Sequence, residues 1–148
     1  MKSKLIILFL LSIIFCFSMV CLATDMQYGK IIISIIDFRN NTGDVRVALF
    51  NTERGFPDQP EHAFKKIKLS ISNKQALASF EQIPYGTYAV GILHDENKDG
   101  KFNMRLFIPK EGYGASNDAK GKFGPPKFND AKFELNSTEK TLVIHVSY

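Results

Sequence analysis

The 148-residue chain has no tryptophan and two cysteines, and both of these, Cys16 and Cys21, fall within the first 21 residues. Once that segment is removed the chain has no thiol. This excludes a disulfide framework, a thiolate metal site and a cysteine nucleophile. Histidine is also scarce, and His62, His94 and His145 stand too far apart in the chain for zinc-ligand spacing. No serine occupies a nucleophile elbow, no glycine loop is built to cradle phosphate, and no segment reads as a persuasive helix. Net charge is small: the formal +4 falls to +2 without Lys2 and Lys4, too little to point to a nucleic-acid partner.

A long apolar run occurs once, at the N-terminus. Lys2 and Lys4 precede a predominantly apolar stretch from Leu5 to Val20, followed by Cys21-Leu22-Ala23. A basic start, an apolar middle and a small residue at the end form a secretory signal peptide, residues 1–23, cleaved after Ala23. The expected location is therefore periplasmic or secreted. The alternative is an uncleaved membrane anchor, with the membrane touched through this segment alone. The remaining 24–148 is long enough for one domain that buries its own core.

That domain has the rhythm of an all-β protein. Ile31–Phe38 and Asp44–Asn51 are rich in branched residues and flank Arg39-Asn40-Asn41-Thr42-Gly43, which predicts a hairpin. Val45, Val47 and Leu49 alternate with Asp44, Arg46 and Ala48, as a half-buried strand requires. Phe64–Ile71 alternates in the same way, Ser72-Asn73 turns the chain, and Gln75–Phe80 returns. After the Pro84-Tyr85-Gly86 turn, Thr87–Leu93 forms the next strand, with Tyr88 placed to bond back to the backbone as a tyrosine corner does. Met104–Lys127 holds four glycines and three prolines and predicts a long irregular loop. Ala131–Leu135 and Thr141–Val146 close the domain. The expectation is an antiparallel β-sandwich of about seven strands, transthyretin-like or immunoglobulin-like.

The most informative stretch is His94–Asn103, HDENKDGKFN. Asp95, Asn97 and Asp99 place oxygen donors at alternate positions before Gly100, Lys101 offers a carbonyl, and Asn103 adds another side-chain oxygen, which is how a calcium loop begins. The helix-loop-helix version needs a bidentate Glu at the twelfth position, where this chain has Leu106. A carboxylate from elsewhere must complete the shell, and Glu111, freed by the Gly112 and Gly114 around Tyr113, is the candidate. The expected cofactor is a weakly bound structural Ca2+. Tight-turn chemistry alone also explains Asp, Asn and Gly in such a loop, and Lys98 and Lys101 oppose a cation.

Three segments in order, YGTYAVGILHDENKDGKFN, IPKEGYGASN and GPPKFNDAKFEL, resemble the bacterial secreted family known as domain of unknown function 2141 (DUF2141), over about residues 29 to 148. The resemblance implies a small exported β-sandwich similar to transthyretin-like and carboxypeptidase-regulatory-like domains, without established activity. The family pattern commonly has an acidic residue where this chain has Asn103 and an aromatic where it has Ala115, and the first departure removes a ligand charge. Hydroxyisourate hydrolases on transthyretin-like scaffolds end in Tyr-Arg-Gly-Ser, whereas this chain ends His145-Val146-Ser147-Tyr148.

Between Lys98 and Lys127 seven basic residues outnumber three acidic ones, interleaved with Phe102, Phe107, Tyr113, Phe123 and Phe128. Such a segment suits an envelope protein, a glycan or an anionic lipid, with His94, Tyr113, Arg105 and Lys110 as contacts. The favoured function is a non-enzymatic binding or structural module of the cell envelope. The alternative is a hydrolase-like enzyme using His94 and Glu111, which requires the two side chains to converge in a pocket.

Overall fold

The computed structural model describes residues 26–105, 108–122 and 124–148. The expected signal peptide, residues 1–23, lies outside them, as do Phe107 and Phe123. No helix among the described residues is long and apolar enough to cross a membrane.

The chain is all-β, as expected. Its strands are β1 (Tyr28–Ile36), β2 (Asp44–Phe50), β3 (Lys65–Leu69), β4 (Ala76–Pro84), β5 (Gly86–Asp95), β6 (Met104–Arg105), β7 (Ile108–Pro109), β8 (Gly112–Ala115), β9 (Phe133–Leu135) and β10 (Glu139–His145). The first sheet has the order β10-β1-β4, and the second runs β3-β2-β5-β8 with β9 pairing the start of β5. Strands β6 and β7 form a separate two-stranded ribbon. Among the described residues the two sheets hold eight strands, in line with the seven or so expected, but the β1–β10 pair is parallel rather than antiparallel.

Alternation drives the packing. Ile31, Ile33 and Ile35 of β1 share one core with Val45, Val47 and Leu49 of β2, with Val90 and Ile92 of β5, and with Ile144 of β10. Full burial of each of these side chains contributes about 1.5–3 kcal/mol. The inward rows of β1 and β2 meet across the sandwich, the two strands lying in different sheets. The predicted hairpin is in fact a crossover between sheets, led by Asp37 at φ 67° and closed by Gly43 at φ 79°. Strands β3 and β4 also lie in different sheets. The tight turn between them does form, with reciprocal Ser72 and Gln75 backbone bonds and with Asn73 and Lys74 at positive φ.

Tyr88 makes the corner its position suggests, its hydroxyl donating to the Pro84 carbonyl at 2.8 Å. The Met104–Lys127 segment is more ordered than its glycines imply, since β6, β7 and β8 lie within it. Glycine is needed in β8 because the C-terminal strand comes close. A Cβ on Gly112 would lie 2.5 Å from Val146, and one on Gly114 would lie 3.0 Å from Ile144 and from the His145 carbonyl. Tyr113 and Ser147 exchange two backbone bonds, so β8 is stitched to the chain end that leaves the first sheet. One helical turn, α1 (Phe128–Ala131), interrupts the approach to β9.

The outer face of the second sheet is only half covered. At one end Phe50, Phe56 and Phe128 stack edge to face at 5.4 and 5.8 Å, over a small cluster of Ala89, Ala115 and Ala131. Phe128 thus anchors its segment to the sheet.

Candidate functional site

Strand β5 ends in two residues that point to opposite faces, as neighbours in a strand must. His94 points inward with no exposed surface. Its Nε2 donates to the Thr42 carbonyl at 2.7 Å and its Nδ1 accepts from the Tyr148 hydroxyl at 2.7 Å, while that hydroxyl accepts the Arg39 backbone N–H at 3.0 Å. The guanidinium of Arg39 covers the Tyr148 ring at 4.5 Å and pairs with Glu96. This pairing, with further help from Asn40, holds the Glu96 carboxyl below the usual carboxylate range.

Asp95 points outward and is equally buried. It accepts from Arg46 Nε at 2.6 Å and from the backbone N–H groups of Asp99 at 3.1 Å and Gly100 at 2.9 Å. These bonds wind the loop, and the Arg46 guanidinium balances the Asp95 charge. Gly100 packs on that guanidinium, where a Cβ would lie 3.1 Å from Arg46 Nη2, and its φ of 79° also suits glycine.

The other loop oxygens gather around Asn103. Asn97 Oδ1 accepts the Asp99 N–H at 3.0 Å, and Asp99 Oδ1 accepts the Lys101 N–H at 2.8 Å. Asn103 Nδ2 lies 3.0 Å from Asp99 Oδ2, 3.1 Å from the Lys101 carbonyl and 3.2 Å from Glu111 Oε2. The Asn103 amide, with Lys101 N–H and the Asn97 amide, keeps the Asp99 carboxyl below its ordinary range. Glu111 folds back onto the loop, almost fully buried. Its Oε1 accepts the Glu96 N–H at 3.2 Å and its Oε2 the Asn103 N–H at 3.1 Å.

The structure thus brings Asp99, the Lys101 carbonyl, Asn103 and Glu111 together, with Asn97 beside them, and commits Asp95 to Arg46 and the backbone. Among the described residues no cluster of three His, Cys, Asp or Glu side chains forms, because two of the gathered groups are an amide and a carbonyl. His94 and Glu111 share no hydrogen bond among the described residues, and the polar atoms of both are engaged elsewhere. Lys110 contributes its carbonyl, which accepts from Arg39 at 2.9 Å. Tyr113 packs edge to face on Phe102 at 6.0 Å. The side chain of Arg105 is outside what is described.

Beside the loop lies a groove of about 660 Å³ on the open half of the second sheet's outer face. Cross-strand register arranges its floor in two rows, Lys68-Arg46-Leu93-Tyr113 and Lys66-Ala48-Gly91. Pro57 closes one end by packing over Gly91, where a Cβ would lie 2.9 Å from the Pro57 carbonyl oxygen, and Phe102, Met104 and Pro109 wall the other. Sequence reasoning placed positive charge in the 98–127 segment, yet the groove's basic side comes from β2 and β3. The signal was the alternation Lys66-Ile67-Lys68, which puts both lysines on the face opposite the core.

The family described as "Uncharacterized protein conserved in bacteria (DUF2141)" matches residues 33–143. No curated protein and no solved structure matches the chain.

Proposed function

The chain belongs to the DUF2141 family, whose description assigns no activity, and we propose that it is an exported, non-catalytic binding module of the cell envelope whose 95–111 loop is clamped by calcium. The observation that carries this reading is the convergence on Asn103. An amide nitrogen has two hydrogens, yet three oxygen acceptors lie within 3.2 Å of Asn103 Nδ2. Half a turn of the amide exchanges nitrogen for oxygen at nearly the same place. Four oxygens then surround one point: Asp99, the Lys101 carbonyl, Asn103 and Glu111.

Oxygens bound to one Ca2+ at about 2.3–2.6 Å stand about 3 Å apart, and the Asp99, Lys101 and Glu111 oxygens each lie 3.0–3.2 Å from the place an Asn103 oxygen would take. Two carboxylates match a divalent charge. Asp95, whose charge Arg46 already balances, acts as the brace of the loop rather than as a ligand. A non-catalytic role is supported by the engagement of His94 and Glu111, which leaves neither with an open acid or base atom.

Calorimetric titration of residues 24–148 with calcium and magnesium tests the reading. Saturable calcium heat with Kd of about 10⁻⁴ to 10⁻³ M, weaker magnesium heat, and loss of both in Asp99→Ala is the expected result. Absence of heat at millimolar calcium overturns it.

A further inference from the structure

We propose that the groove on the outer face of the second sheet binds a free long-chain carboxylate, with the acid at Lys66 and Lys68 and the apolar chain along Leu93, Tyr113, Phe102 and Met104. This deepens the reading of the domain as a binding module and rests on it, but it uses residues other than those of the calcium clamp.

Across the sheet the outward positions change from lysine on β3, through Arg46 and Ala48 on β2, to Leu93 and Gly91 on β5 and Tyr113 on β8. A face that is basic on one flank and apolar on the other matches a ligand with one charged end. Three strand spacings separate β3 from β8, about 14 Å, enough for an extended chain to keep its head and tail on different flanks. Gly91 and Ala48 keep the floor low between them.

Charge supports the direction. Arg46 is neutralised by Asp95 at 2.6 Å, so the available positive groups are Lys66 and Lys68. Asp44 lies 3.7 Å from Lys68 and 3.8 Å from Lys98, and Asp58 also lines the groove, so Lys66, Lys68 and Lys98 face two carboxylates and the rim keeps a net positive charge. At the opposite flank Met104 is 51% and Phe102 36% exposed, large apolar surface beside a preformed concavity. Such surface around a groove marks a ligand site.

The test uses residues 24–148, which contain every described strand, at pH 7.5. Fluorescent cis-parinarate serves as the probe, displaced by saturated carboxylates of 8, 12 and 16 carbons and by hexadecanol. One molecule bound per chain is expected. Affinity should rise about fourfold per added methylene until the groove is filled. Hexadecanol and the Lys66→Glu/Lys68→Glu variant should each bind at least tenfold more weakly, and Met104→Glu should weaken the long acids most.

All three substituted residues are exposed, and circular dichroism checks that the variants fold. Absence of parinarate binding, equal affinity for the alcohol, or unchanged affinity in both variants overturns the proposal. So does binding to phosphatidylglycerol vesicles without binding of the free acid, which would make the face a membrane contact. Failure with an intact calcium titration removes the groove's ligand and leaves the clamp standing.

Discussion

Glu111 Oε2 accepts the backbone N–H of Asn103 at 3.1 Å, holding together two ends of a loop otherwise free to part. Its other oxygen takes the Glu96 N–H at 3.2 Å, so one buried carboxylate satisfies donors from both sides of the acidic stretch. In Glu111→Ala those donors lose their partner, at a cost of about 1–3 kcal/mol for each that water cannot reach. A urea denaturation should show the loss without calcium present. Glu111→Gln keeps one acceptor oxygen and should lose less, and an unchanged midpoint for Glu111→Ala would refute the bracing role.

Asp95 and Asp99 should behave as opposites although both stand in the acidic stretch. Asp95 is fully buried against Arg46 and two backbone N–H groups, so Asp95→Ala should cost roughly 3 kcal/mol, the low end for breaking a buried pair. Asp99 is exposed, and Asp99→Ala should shift calcium-free stability by less than about 1 kcal/mol while abolishing the calcium response. Equal destabilisation by the two substitutions would contradict the division between brace and ligand.

Much of this arrangement was legible in the residues. Alternation in Asp44–Phe50 foretold the inward row Val45, Val47 and Leu49, though Asp44, Ala48 and Phe50 on the other face are buried too; Tyr88 foretold its corner, and Glu111 its return to the acidic loop. Pairing was not legible, because a strand with one apolar face fits equally beside its neighbour or across the core from it. Arg39–Gly43 therefore reads as a hairpin turn, whereas the chain there passes between sheets. The glycines of β8 misled for a related reason, since they mark the close approach of Val146 and Ile144, which local composition cannot reveal. The groove's lysines were overlooked because its charge is assembled from β2 and β3, far in sequence from the aromatic wall.

The C-terminal residue is structural. Tyr148 donates to His94 and accepts from the Arg39 backbone, linking the chain end to the 37–43 crossover and to β5. Tyr148→Phe keeps the ring under the Arg39 guanidinium and removes both hydrogen bonds, which should cost about 1–3 kcal/mol. Guanidinium denaturation measures this, and a change within experimental error would show that water replaces the hydroxyl.

Acid should loosen the same region. Pairing with Arg39 depresses the folded-state pKa of Glu96, so the ionised form contributes stability above the ordinary carboxylate pKa. That contribution is lost as pH falls through the depressed value, beginning below about pH 5. Urea midpoints between pH 6 and pH 2 should fall more shallowly in Arg39→Ala than in the native chain. Parallel profiles would remove Glu96 from the account.

The most direct test of the calcium clamp watches the Asn103 side chain itself. In ¹⁵N-labelled residues 24–148, the Asn103 NH₂ resonances should begin at shifts typical of hydrogen-bonded amides and move, saturably, toward those of a solvated amide as calcium is added and the amide turns its oxygen inward. Asp99→Ala should abolish the movement. Resonances that stay fixed through millimolar calcium would mean that the amide nitrogen holds the loop permanently, and that the clamp works without a metal.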